Sequence, residues 1–191
     1  MSGYTLVELV FVMALTVTVG AVAIPGLTAT LDDSRTIGAT RYLSSRLQHA
    51  RMAAIVRSAN VTLKFVESGA SFVYTTYVDG NGNGVRASDI DRGIDRVLHP
   101  PERLPDFFFG VDFGARPGLP PVDAGGAPPG SDPVRLGTAN TLTFTPLGTS
   151  SSGSLYILGR GGAQYVIRIF GESGKTRVLK FDARANRWRP L

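Results

Sequence analysis

The chain has 191 residues, of which 43% are hydrophobic and 18% are charged, and its formal net charge is +5. Once an N-terminal helix is set aside, what remains is about one domain of chain, near the common size of about 100 to 150 residues. The chain contains no cysteine, which excludes disulfides, thiolate chemistry and metal sites built on cysteine.

An apolar run opens the chain. Residues 4–24 include one side chain that is charged at neutral pH, that of Glu8. A helix needs about 20 apolar residues to cross a bilayer, so residues 4–24 are predicted to form a transmembrane helix. A carboxylate in such a segment is costly and indicates a function with a cationic partner. The nearest candidate is a new α-amino group on Tyr4, which would form if the chain were cut after Gly3.

The segment Gly3-Tyr4-Thr5-Leu6-Val7-Glu8 resembles the class III signal of type IV pilins and type II secretion pseudopilins. The resemblance implies that a prepilin peptidase removes residues 1–3 as a leader and methylates the new N-terminus on Tyr4. It also implies that Glu8 pairs with a neighbouring subunit's terminus during assembly. Tyr4 replaces the family's usual phenylalanine, and the leader has no Lys or Arg. The alternative is an ordinary signal anchor that contains a glutamate.

The apolar run ends at Pro25-Gly26, where the missing backbone donor predicts a local helix break at Pro25. Residues 25–57 are predicted to be an amphipathic half of the same helix, because apolar residues recur there at helical spacings. These residues are Ile37, Leu43, Leu47, Ala50 and Ala54. We therefore expect one helix from about Tyr4 to Arg57 whose second half packs on a globular domain. A separate helix after a flexible hinge is the alternative.

Residues 58–191 are predicted to form a globular β domain. Runs of period two and β-branched or aromatic composition indicate strands. The predicted strands are residues 61–67, 71–78, 141–146, 154–158, 164–170 and 177–182. A long N-terminal hydrophobic and amphipathic helix packed on antiparallel β-sheets gives an α+β, pilin-like fold.

Residues 99–138 form a predicted insertion, because they hold nine of the twelve prolines and seven glycines. Regular structure is not expected there apart from a short apolar segment, Phe107-Phe108-Phe109. Residues 107–113 would anchor the insertion either to the core, which we favour, or to a partner. Residues 115–132 are predicted to be mobile.

The C-terminal segments 142–148, 155–158, 166–169 and 174–177 resemble the GspH/FimT group of minor pilins. The resemblance implies a minor pseudopilin of the type II secretion system, a structural subunit of a periplasmic pseudopilus used in protein export. It implies a single-pass protein of the bacterial inner membrane with its globular domain in the periplasm. Its partners would be other pilins or pseudopilins and the prepilin peptidase. The alternative is a FimT-like minor type IV pilin that binds DNA for natural transformation.

The segment Asp79-Gly80-Asn81-Gly82-Asn83-Gly84 matches the first half of a calcium loop, with oxygen ligands from Asp79, Asn81 and Asn83. Position 12 of such a loop is Ile90 here instead of the bidentate glutamate. Asn-Gly pairs also form hairpin turns, so a simple turn without a metal is favoured and calcium is the alternative. No other cofactor is expected.

We predict no enzyme activity, because His49 and His99 stand alone in the sequence and accompany no catalytic motif. Positive charge instead collects in residues 160–191, with eight Lys or Arg against two acids. Gly174-Lys175-Thr176-Arg177 is similar to the Gly-Arg-x-Arg motif of DNA-binding FimT-like members, although Lys lacks the bidentate fork of Arg. The candidate DNA contacts are Lys175, Arg177, Lys180, Arg187, Trp188 and Arg189, with Trp188 stacking on a base. A solvated basic tail is the alternative.

Overall fold

The structure, a computed structural model, describes residues 3, 5–137 and 139–191, and the side chains of all of these except residues 22–25. A long N-terminal helix packs on two antiparallel sheets, so the predicted α+β, pilin-like fold is confirmed. The helices are α1 (Leu6–Arg57), α2 (Ala87–Asp91) and α3 (Leu104–Phe107). The strands are β1 (Val61–Ser68), β2 (Ser71–Val78), β3 (Arg96–Glu102), β4 (Val111–Phe113), β5 (Val134–Arg135), β6 (Thr141–Phe144), β7 (Gly153–Gly159), β8 (Gln164–Phe170), β9 (Lys175–Asp182) and β10 (Arg187–Pro190).

Helix α1 begins after Thr5, whose side chain caps the first turn, and ends before Ser58, which has a left-handed backbone with φ of 50°. The helix continues through position 25. The predicted helix break at Pro25 is therefore wrong if a break means that the helix ends there. A proline removes one backbone donor without removing the bonds of its neighbours. Local loosening at Pro25 stays a prediction, since its side chain lies outside the described part.

The second half of α1 carries the packing face of the helix. The side chains of Ala39, Leu43, Leu47, Ala50 and Ala54 are buried against the sheets. The amphipathic pattern therefore predicted the buried stripe, and Ile37 lies partly buried at its edge. Gly159 of β7 passes close to this half, because a Cβ atom there would collide with the Thr36 side chain.

The two sheets share the main core with α1. The N-terminal sheet has the strand order β3-β2-β1-β6, and the C-terminal sheet has the order β10-β9-β8-β7-β4, with β5 also pairing with β7. Phe113 of β4 joins them, since its ring meets those of Phe65, Phe72 and Tyr74 at centroid distances of 5.6, 5.9 and 6.2 Å. We call the face of the C-terminal sheet toward α1 its inner face and the opposite one its outer face.

The outer face has a smaller apolar cluster of its own. Leu119, Tyr156, Val166 and Leu179 are buried there, and Phe181 and Trp188 pack against them. Leu119 belongs to residues 115–132, which cover part of this face. The predicted mobility of these residues stays a prediction. The neighbour of Leu119, Pro120, accepts a hydrogen bond of 3.0 Å from Trp188 Nε1.

The insertion is more regular than predicted, because strands β3, β4 and β5 and helix α3 all lie in or overlap residues 99–138. Pro100 and Pro101 are accommodated because β3 is an edge strand, where a missing donor is tolerated. The preference for a core anchor is confirmed for Phe113 and Phe108, while Phe107 and Phe109 remain exposed.

Candidate assembly helix and basic C-terminal sheet

Glu8 lies in the first turn of α1 and forms a capping box with Thr5. Its Oε2 atom accepts hydrogen bonds of 3.1 Å from the Thr5 amide and 3.0 Å from the Thr5 hydroxyl. In return the Glu8 amide donates a bond of 3.3 Å to the Thr5 hydroxyl. A carboxylate is favoured at this end of a helix by the helix dipole. Gly3 lies just before this turn, whereas Tyr4 is outside the described residues.

The first half of α1 has no packing partner among the described residues. Its large apolar side chains, such as Leu6, Phe11 and Leu15, are exposed on every side of the helix. By length and composition this stretch can cross a membrane. A helix that is apolar all round needs lipid or other apolar helices around it, so the structure leaves it free for a bilayer or for neighbouring subunits.

The predicted calcium segment forms the start of the long loop between β2 and β3, which pair with each other. The Asp79 carboxylate is buried and accepts bonds from the amides of Asn81, Gly82 and Gly84 at 3.1, 2.7 and 2.7 Å. Burial would raise the pKa of Asp79, but these bonds and one from Asn60 lower it below its usual value. The loop is thus built around a charged carboxylate.

Asp89 and Asp95 complete this loop. Asp89 accepts bonds from the side-chain amides of Asn81 and Asn83, and Asp95 accepts bonds from the amides of Gly80 and Arg86. Within the described part of the chain, no group of three or more His, Cys, Asp or Glu side chains is placed to hold a metal ion. Calcium binding through Asp79, Asn81 and Asn83 stays a prediction, which absence of heat in a calorimetric titration with millimolar calcium would remove.

The predicted DNA-binding residues do not form one surface. Thr176 bonds Gln48 of α1 at 2.9 Å, which places it on the inner face of β9. Since strand residues alternate, Lys175 and Arg177 lie on the outer face, where both are exposed. Lys180 lies on the inner face, and its Nζ atom pairs with Asp33 of α1 at 2.8 Å.

The three candidates on β10 also divide between the faces. The ring of Trp188 packs against those of Tyr156 and Phe181 on the outer face and is partly buried. Stacking of Trp188 on a base stays a prediction. Arg187 and Arg189 point to the other face by alternation. Arg189 is paired with Asp182 at 2.6 Å, while Arg187 is exposed.

Sequence reasoning missed a row of polar residues across the outer face. Arg135 of β5 is opposite Ser154 of β7, Ser154 is opposite Arg168 of β8, and Arg168 is opposite Arg177 of β9. The period of two in β8 could have placed Arg168 on the face of Val166. The register of four strands that are distant in sequence was needed to align the row.

One comparison with known proteins gives a match. A family model described as type II transport protein GspH matches residues 39–173, which include the last part of α1 and most of the two sheets. No curated protein and no solved structure gives a significant match to the chain.

Proposed function

Because the chain belongs to the family of type II transport protein GspH, we propose that it is a minor pseudopilin of the type II secretion system. In this proposal a prepilin peptidase cuts after Gly3 and methylates Tyr4, and the first half of α1 anchors the subunit in the inner membrane. The head, which comprises the sheets and the second half of α1, is periplasmic. Its role is structural, in a pseudopilus used for protein export, and not enzymatic.

The observation that carries the proposal is that the first half of α1 packs against no other described part of the chain. One continuous helix presents an apolar surface with a single carboxylate, Glu8, in its first turn, and then enters the core of the head. The carboxylate keeps acceptor capacity beyond its bonds to Thr5. A neighbour's N-terminal amine at this depth would gain a charge-assisted bond in surroundings of low dielectric constant.

Glu8→Ala tests this role in cells that assemble the pseudopilus. We expect the variant to reach the membrane at the wild-type level and to be missing from sheared filaments, because the cationic terminus of its neighbour has lost its partner. Glu67→Ala, which removes an exposed carboxylate from β1, is the matched control and should assemble normally. Normal incorporation of Glu8→Ala would contradict the assembly role.

Processing is tested separately by mass spectrometry of the purified protein. The proposal expects a chain that starts at a methylated Tyr4. A chain from the same membranes that retains residues 1–3 would contradict processing, whatever the filament experiment shows.

A second candidate function is DNA binding by a FimT-like minor pilin. It is favoured by Lys175 and Arg177, which are exposed on one face of β9 and have no ion pair among the described residues. The test is binding of the full chain in detergent to a labelled duplex over a salt series. Loss of salt-sensitive binding in Lys175→Ala/Arg177→Ala, but not in the exposed helix pair Arg41→Ala/Arg57→Ala, would support uptake. No binding at low salt would leave the secretion role.

A further inference from the structure

A pocket of about 430 Å³ lies between the outer face of the C-terminal sheet and residues 115–132, the Pro/Gly-rich segment that covers this face. Its floor includes Ser154 and Tyr156 of β7 and Arg168 of β8, with Arg135 of β5 at one side. Asp123 lies on the covering segment. We call this cavity the outer pocket; its size is within the range of small-ligand sites.

Three members of the polar row, Arg135, Ser154 and Arg168, line the outer pocket, and Arg177 continues the row beyond it. Because Arg135, Ser154, Arg168 and Arg177 are paired in register, neighbouring members of the row are about 5 Å apart. Like charges directly opposite each other destabilise a sheet, and Arg168 and Arg177 are such a pair. Asp123, which is paired with Arg168, relieves this repulsion in the free subunit, as an incoming carboxylate would.

The guanidinium groups are held in place but keep free donors. Arg135 Nη1 donates to the carbonyls of Ala127 and Pro128 at 2.8 and 2.9 Å. Arg168 Nη1 donates to the Gly153 carbonyl at 2.8 Å. Arg168 Nη1 also donates to the Ile169 carbonyl at 3.3 Å, and the guanidinium carbon lies 5.6 Å from the centre of the Phe170 ring. Since each guanidinium carries five N–H donors, these contacts orient the two groups and leave Arg168 Nη2 without a hydrogen-bond acceptor among the described residues.

A carboxylate of the chain itself, that of Asp123, already binds Arg168 in the outer pocket. Asp123 Oδ2 accepts a bond of 2.7 Å from Arg168 Nε. The Asp123 side chain is 46% exposed, whereas that of Arg168 is 22% exposed. The carboxylate therefore reaches the arginine from the solvent side.

We propose that the outer pocket binds a carboxylate side chain of an acidic peptide from another protein, and that Asp123 holds the same position in the free subunit. The incoming carboxylate replaces Asp123 at Arg168 and gains the free Nη2 donor in a bidentate pair. The inference goes beyond the assembly role, because it requires neither Glu8 nor the first half of α1.

Charge favours a peptide over a nucleic acid at this pocket. Arg135 and Arg168 are balanced by Asp123 and Asp132 in its lining. A single peptide carboxylate adds one negative charge to this balanced set. A duplex brings one phosphate charge per about 1.7 Å of its axis, and its phosphates would face the two aspartates.

The test is fluorescence anisotropy with the full chain in detergent and a labelled, end-capped hexapeptide that contains two aspartates. Asp123→Asn keeps the shape of the side chain and removes its charge, so we expect at least about threefold tighter binding. Arg168→Gln should weaken binding by at least about tenfold. Arg184→Gln, at an exposed arginine outside the pocket, is the matched control and should bind like wild type.

Two results would overturn the proposal. One is unchanged peptide affinity in Asp123→Asn, a variant of an exposed residue that is expected to fold normally. The other is a DNA duplex that competes for the pocket and gains more from Asp123→Asn than the peptide does, which would make it a phosphate site. Thermal melting of each variant separates loss of binding by Arg168→Gln from loss of folding.

Discussion

The two halves of helix α1 have the same backbone structure and opposite surroundings. In the first half, Leu6 and Phe11 are 80% and 68% exposed, whereas Leu43 and Leu47 in the second half are fully buried. Both halves are helical although their side chains meet different surfaces. The difference shows that only the second half stabilises the head, and that the first half is available to a membrane or to other subunits.

The strongest test of this difference exchanges leucine for alanine in each half. Leu43→Ala leaves a cavity in the core and should lower the free energy of unfolding of the head by about 2 to 5 kcal/mol. Leu15→Ala removes the same atoms from an exposed position and should leave the unfolding of the head unchanged. Chemical denaturation of the full chain in detergent, followed by tryptophan fluorescence, measures both. Equal losses would show that the first half also supports the head.

The packed half also holds polar groups. Glu102 of β3 accepts bonds from the hydroxyls of Tyr42 and Tyr74 at 3.1 and 2.8 Å and is paired with Arg46. Burial and the bond to Glu102 raise the pKa of Tyr74. Through Tyr42 and Arg46, this buried carboxylate ties α1 to the N-terminal sheet.

Glu102→Gln should lower the free energy of unfolding by about 2 kcal/mol, because the charge-assisted bonds weaken. The matched control is Glu67→Gln on the exposed part of β1, for which we expect a negligible change. The same denaturation experiment measures both variants. A neutral result for Glu102→Gln would mean that the charge of this carboxylate does not help to join the helix to this sheet.

The smallest expected effect concerns His99 of β3. Burial lowers its pKa, and Arg46, His49 and Arg57 of α1 lower it further, against the opposing effect of Glu102. A depressed pKa means that the folded state favours the neutral ring. The stabilising contribution of His99 to the free energy of unfolding is therefore present above its pKa in the unfolded chain, about 6.5. It is lost as the pH falls through the lower pKa of the folded state.

We expect thermal melting of the wild type to shift downward between pH 8 and pH 5 by more than that of His99→Gln. His49→Gln is the comparison on the helix side and removes one of the repelling neighbours. Parallel pH dependence in wild type and His99→Gln would show that other groups account for the acid sensitivity of the packed half.

The extent to which sequence predicted the fold differs between elements. Strands β2 and β8 have the predicted bounds, because long runs of β-branched and aromatic residues define them. Strand β3 was missed, because its two prolines argue against a strand unless it lies at an edge. Edge position is a property of the sheet and cannot be read from the segment.

The sequence predicted the placement of some candidate site residues and not of others. Glu8 and the apolar run are local features, and the structure places them in one continuous helix. The six basic-end candidates were grouped by closeness in sequence, but alternation and the hairpin of β9 and β10 divide them between two faces. Trp188 lies in a segment rich in charged residues, yet its ring is partly buried. It contacts the rings of Tyr156 and Phe181 and donates a hydrogen bond to Pro120.

The sequence by itself determined the elements that depend on local composition: an apolar helix with one carboxylate, an amphipathic continuation and most of the strands. Only the tertiary structure decided which cations are paired, which aromatic rings are covered and that Arg135, Ser154, Arg168 and Arg177 form one row. The physical reason is that periodicity is encoded within about ten residues. Strand register and the identity of the covered face depend on contacts between segments far apart in the chain.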